Sequence, residues 1–200
     1  MRKNEFVAEN YNGVKVNDPK MSKSFLIGLV LFIASAIIFG VPFFLVNTDI
    51  AQAFSYDFMD ALAQYYNMPL HFGILMLVVL LVVHELIHAF FYGIYAKNGF
   101  KSIKFGADLK HFAVYVANLD VMRTDKFIIG LIMPMIIVRV IPSIIAIFIG
   151  NMNVLLFGIT FVSAAGGDLY YFSKVRKNSK NTWIHNSVEM DMQLVLYEPK

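Results

Sequence analysis

The sequence of 200 residues holds no cysteine. That absence removes disulfides, thiolate ligands and cysteine nucleophiles together, so any metal site must be built from His, Asp, Glu or Asn. Charge is also scarce, with Asp, Glu, Lys and Arg at 16% against 58% hydrophobic residues. So little polar surface excludes an ordinary soluble domain and indicates a membrane protein. The net charge of +3 is small, and the basic residues fall in separate clusters beside apolar runs. This pattern suits anionic lipid headgroups and gives no nucleic-acid footprint. Internal repeats and low-complexity tracts are lacking as well.

A local absence orients the chain. Between Lys23 and Lys97 there is no Lys or Arg, while Asp49, Asp57 and Asp60 lie in that interval. Four apolar runs, about 24–46, 70–96, 127–150 and 153–172, are each long enough to cross a hydrocarbon core of ~30 Å at ~1.5 Å per residue. The first continues well past a signal-like "IASA" and reads as an uncleaved anchor. The last two are joined by little more than "GNMN", which predicts a tight antiparallel pair. Arg2, Lys3, Lys15, Lys20 and Lys23 precede the first run. Lys97, Lys101, Lys104, Lys110, Arg123 and Lys126 lie between the second and third, and "SKVRKNSK" follows the fourth. By the positive-inside rule these three segments are cytoplasmic and the acidic loop faces outward. Tyr65, Tyr66, Tyr95, Tyr170 and Tyr171 near the run ends suit an interfacial aromatic belt.

The expected fold is a membrane all-α bundle of four transmembrane helices with a small cytoplasmic β-hairpin. It comprises a cytoplasmic segment 1–23, a membrane domain 24–172 that includes the basic segment 97–126, and a cytoplasmic tail 173–200. In the basic segment, Phe112, Val114 and Val116 alternate, and Gly106-Ala107-Asp108 is expected to turn the hairpin. The hairpin edge could pair with an unwound substrate segment, or the hairpin could rest on headgroups.

Ionisable residues within the apolar runs are few: His71, His84, Glu85, His88, Arg139 and Asp168. A charge near mid-bilayer costs ~2.5–3.5 kcal/mol on insertion scales, which makes a cluster a functional-site hypothesis. His71 sits one residue into its run, within reach of water, and is assigned no role. His84-Glu85-Leu86-Ile87-His88 has H-E-x-x-H spacing, so on a helix the two imidazoles project from one face, one turn apart. Together they can hold one zinc ion. Glu85, on the flank of that face, is placed to act as catalytic base toward a zinc-activated water. Zinc ordinarily takes a third protein ligand, and Asp168 in "SAAGGDLYYF" is the candidate. His84 lies 14 residues after Leu70 and Asp168 lies 15 after Asn153, or about 21 and 22 Å of helical rise, so they fall at nearly equal depth.

Arg139, between Pro134 and Pro142, could stabilise an oxyanion, or could pair with Asp168 or with carbonyls freed by the prolines. The second reading is favoured. Asn118 is a candidate for binding substrate backbone, and His111 beside Lys110 reads as solvated. The tail is expected to form a strand or two, with His185 and Glu189 as outside candidates for ligation.

"HELIH" in an apolar span, a basic segment of about thirty residues, an apolar pair with "MP" in its first member, and "GGDLYYF" resemble a bacterial family of zincin peptidases of unassigned function. That family is related in pattern to the site-2 intramembrane zinc metalloproteases. The resemblance covers roughly Leu70 to the C-terminus. It implies His84 and His88 as histidine ligands, Glu85 as base and Asp168 as the downstream aspartate. One departure is that site-2 proteases usually carry an Asn-Pro-x-x-Asp-Gly type of sequence there, where this chain has Ala165-Gly166-Gly167-Asp168-Leu169.

The expected function is a zinc metalloendopeptidase of the bacterial cell membrane, multi-pass with both termini cytoplasmic, acting on membrane-protein or peptide substrates. Its partners are the bilayer and the substrate. The alternative is a non-catalytic membrane metal-binding adaptor, an inactive protease relative or a metal transporter. Transport is disfavoured because the polar groups cluster toward one side.

Overall fold

The computed structural model describes residues 11–16, 21–47, 70–108, 113–163, 166–178, 182–187 and 193–199. The loop carrying Asp49, Asp57, Asp60, Tyr65 and Tyr66 lies outside them, as do His111 and Glu189. The described chain is mostly helical, with two small antiparallel sheets. It packs as two units, one of residues Met1–Lys20, Val83–Pro134 and Gly167–Lys200, the other of Met21–Val82 and Met135–Gly166.

The apolar runs form the helices. The first is α1 (Met21–Ser35), a π-helical turn at Ala36–Gly40, and α2 (Val41–Asn47). The second is a single helix, α3 (Leu70–Tyr95). The third is α4 (Thr124–Met135), a π-helical turn at Ile136–Val140, and α5 (Ile141–Ile149). The fourth divides into α6 (Met152–Ser163) and α7 (Gly166–Val175). Residues 164 and 165 lie outside those described, and α7 opens on two glycines, poor helix formers. Among the described residues, three stretches, Phe25–Asn47, Val78–Tyr95 and Thr124–Ile149, are long and apolar enough to cross a membrane, and α6 with α7 makes a fourth if the pair counts as one span.

In the first unit, β1 (Tyr11–Lys15), β6 (Gln193–Pro199), β5 (Trp183–Ser187) and β4 (Met122–Arg123) form one antiparallel sheet in that order. The expectation placed a strand or two in the tail. The structure joins them to the chain's beginning and to the residues leading into α4. The hairpin is present as β2 (Ile103–Asp108) and β3 (Ala113–Asn118). Its turn is not at 106–108, because Gly106 pairs with Tyr115 and Asp108 with Ala113 within the ladder. Alternating side chains sustain strand pairing through the glycine. The core of this unit gathers Tyr92, Met122, Phe127, Leu131, Val175, Ile184 and neighbours. In the second unit, Phe43, Ala146, Met152, Leu155 and Ile159 form a separate cluster.

Candidate metal centre

Helix α3 sorts its residues by the helical repeat. His84, His88, Tyr92 and Ala96, each four apart, are buried, while Leu86, Phe90 and Ile94 are 50%, 53% and 52% exposed. Residues four apart share a face, so one stripe of the helix is polar-aromatic and inward, and another is bare hydrocarbon.

Three side chains meet on the inward stripe. The Nε2 atoms of His84 and His88 lie 3.1 Å apart. One carboxylate oxygen of Asp168, from the first turn of α7, is 3.1 Å from His84 Nε2, and the other is 3.5 Å from His88 Nε2. Donors bound tetrahedrally to zinc at ~2.0–2.2 Å stand about 3.4 Å from one another. The three donor groups are therefore spaced as the corners of such a site. Glu85 is half-buried beside them, with the backbone of Val116 in β3 near its carboxylate. His84, Glu85 and His88 also form a group whose ligand atoms lie within 4.8 Å of one another. Asp168 is the better third corner on distance, which leaves Glu85 for another task.

The chemistry of the donors fits a metal. His88 Nδ1 is 2.9 Å from the Gly130 carbonyl, and a carbonyl only accepts, so Nδ1 carries the hydrogen. In the neutral ring Nε2 then offers a lone pair. That lone pair faces His84 Nε2 and the Asp168 carboxylate, a convergence of acceptors that a hydrogen on His84 Nε2 or a bound cation satisfies. The donor set of two imidazoles and a carboxylate suits zinc.

Asn118 is almost fully buried, and its side chain donates to the Asp120 carbonyl at 2.9 Å and accepts from the Asp120 amide at 3.2 Å. Arg139 is buried in the π-helical turn of the second unit, and its carbonyl accepts from Ser143 Oγ at 2.9 Å. His71 is exposed on the first turn of α3, and His185 is on β5. The sequence reading gave no role to Tyr92, Gly130 or Asp120. Tyr92 continues the i, i+4 series from His84 and His88, which was the available signal.

The fold and this constellation define a class: a helical protein of membrane-type composition with an H-E-x-x-H helix and a carboxylate supplied from a distant helix. Residues 77–183, more than half of the chain, match the family described as "putative zincin peptidase", and the chain belongs to that family. No curated protein and no solved structure matches it.

Proposed function

We propose that this protein is a membrane-embedded zinc metalloendopeptidase that hydrolyses peptide bonds of membrane-associated substrates. The observation that carries this reading is the approach of His84, His88 and Asp168 to tetrahedral spacing with Glu85 alongside. His84, His88 and Asp168 would hold the ion. Bound zinc would supply Lewis-acid polarisation of the scissile carbonyl and of the attacking water. Glu85 takes the proton of that water and then delivers it to the leaving amine, the work of a general base turned general acid. Hydrolysis within an apolar site needs a path for water, and the Asp168 side chain is 22% exposed.

Strand β3 supports a mode of substrate binding. It pairs with β2 on one side only among the described residues, and the Val116 backbone reaches the Glu85 carboxylate. An extended peptide added along the strand would bring its scissile bond to the base.

Four spans with both termini cytoplasmic is the topology we favour. The first and last strands are neighbours in one sheet, and β4 of the basic segment is in that sheet too. Segments that share a sheet lie on one side of a bilayer, which supports an even number of spans and the orientation read from Lys and Arg.

Glu85→Gln is the decisive variant. It should retain one zinc per chain by elemental analysis while cleavage of membrane-protein substrates falls ~10²–10⁴-fold, the usual contribution of a positioned base. Full cleavage by this variant would remove the mechanism. A wild-type chain purified without stoichiometric zinc would instead favour an inactive protease relative.

A further inference from the structure

We infer that Pro134 and Gly130 of α4, with Tyr92 of α3, are positioning residues that set the His88 imidazole for metal binding. This inference rests on the metal-centre reading and extends it to residues outside the H-E-x-x-H motif.

An α-helical carbonyl normally pairs with the amide four residues onward. For Gly130 that residue is Pro134, which lies inside α4, is almost fully buried and has no N–H to give. The Gly130 carbonyl instead accepts from His88 Nδ1 at 2.9 Å. The proline thus keeps an acceptor available in an apolar helix, at the one place where an imidazole must be held with Nε2 outward. A hydrogen bond to the distal nitrogen fixes both tautomer and ring plane of a ligating histidine.

Packing holds the same ring from its face. Tyr92 stacks on His88 with centroids 5.7 Å apart and planes 13° apart, and Phe127 stacks on Tyr92 at 5.1 Å and 8°. Phe127 and Gly130 are three apart on α4, so one face of that helix presents both the end of the stack and the carbonyl. Glycine suits position 130, since a Cβ there would run into the Tyr92 ring. Gly130 therefore admits Tyr92 and orients His88 at once.

The test is Pro134→Ala in the full-length chain in lipid nanodiscs, with Pro142→Ala as control for removing a proline from the same apolar run. Two readouts are taken: zinc affinity by competition with a chelator, and the visible absorption of the cobalt(II)-substituted protein. Alanine at 134 restores an amide that competes for the Gly130 carbonyl. Zinc affinity should fall about ten- to hundredfold, as for other lost hydrogen bonds to metal ligands, and the cobalt bands should shift, while Pro142→Ala changes neither. A merely structural proline predicts the opposite, because alanine is the better helix former. Unchanged affinity and spectrum in Pro134→Ala would overturn the inference while leaving the metal centre intact. A wild-type chain that binds no zinc would overturn both. Independently of how any variant folds, nitrogen-15 NMR of histidine-labelled wild type should report His88 with its hydrogen on Nδ1, and hydrogen on Nε2 overturns the inference.

Discussion

Asp168 and Glu85 are both carboxylates within an apolar setting, and their neighbours give them different tasks. Asp168 faces two imidazole nitrogens at 3.1 and 3.5 Å, whereas Glu85 is engaged by the backbone of β3. Asp168→Asn keeps the size of the side chain but removes the anionic donor, leaving two imidazoles to hold a doubly charged ion. Zinc affinity, measured against a chelator of known strength, should therefore fall by more than the ten- to hundredfold typical of a lost supporting hydrogen bond. Glu85→Gln should leave that affinity nearly unchanged. Equal zinc binding by Asp168→Asn and wild type would show that the carboxylate is no ligand and would pass the third corner to Glu85.

At the scale of elements, the placement of β3 beside Glu85 depends on how α3 ends. The helix gives way at Lys97-Asn98-Gly99, where Gly99 takes φ +59°, a left-handed conformation that glycine adopts without a side-chain clash. Asp120, just past β3, holds that exit with both oxygens: the Asn98 amide and side-chain nitrogen each donate to it at 2.7 Å. The Leu119 amide adds a bond to the Ser102 carbonyl at 3.0 Å. Asp120→Ala removes both bonds to the exposed Asn98, whose donors water can then satisfy, at a cost of about 0.5–1.5 kcal/mol. Hydrogen exchange should quicken at 98–104 and along β3, and exchange unchanged from wild type would mean that the hairpin is held by its packing alone. Much of this architecture is legible in the sequence, for physical reasons. Apolar length marks the helices, and the i, i+4 histidines on a lipid-grade run mark the candidate site. What escaped the sequence reading depends on long-range pairing. Strand β1 carries too few residues to declare a partner at 193–199. Gly106 reads as a turn in the sequence because glycine breaks strands more often than it joins them, yet here a ladder runs through it. Asn118 looks free to bind substrate until its bonds to Asp120 are seen. Pro134 in a helix frees the Gly130 carbonyl by the i, i+4 rule, but the ligand that this carbonyl serves emerges only when α3 and α4 are brought together.

For the whole molecule, the sheet imposes a constraint that hydropathy does not. Strands from the start of the chain, from the segment before α4 and from the tail lie in one sheet, and such a sheet cannot be divided by a bilayer, because its backbone hydrogen bonds would have to form across hydrocarbon. Helices long and apolar enough to cross a membrane flank these strands in the chain, and on the topology proposed above the sheet lies on one side of it. The lack of cysteine makes this directly measurable, since each introduced cysteine is the sole thiol. Asn12→Cys and Lys104→Cys place thiols at exposed positions on β1 and β2, and Asp57→Cys places one in the acidic loop. In sealed, right-side-out bacterial spheroplasts, a membrane-impermeant maleimide should label the Asp57 position and spare the other two until the membrane is opened. In inverted vesicles the pattern should reverse. Because β1 shares a sheet with β4, which belongs to the same basic segment as Lys104, position 12 labelling from the outside while 104 labels from the inside would reject both that sheet and the four-span topology built on it.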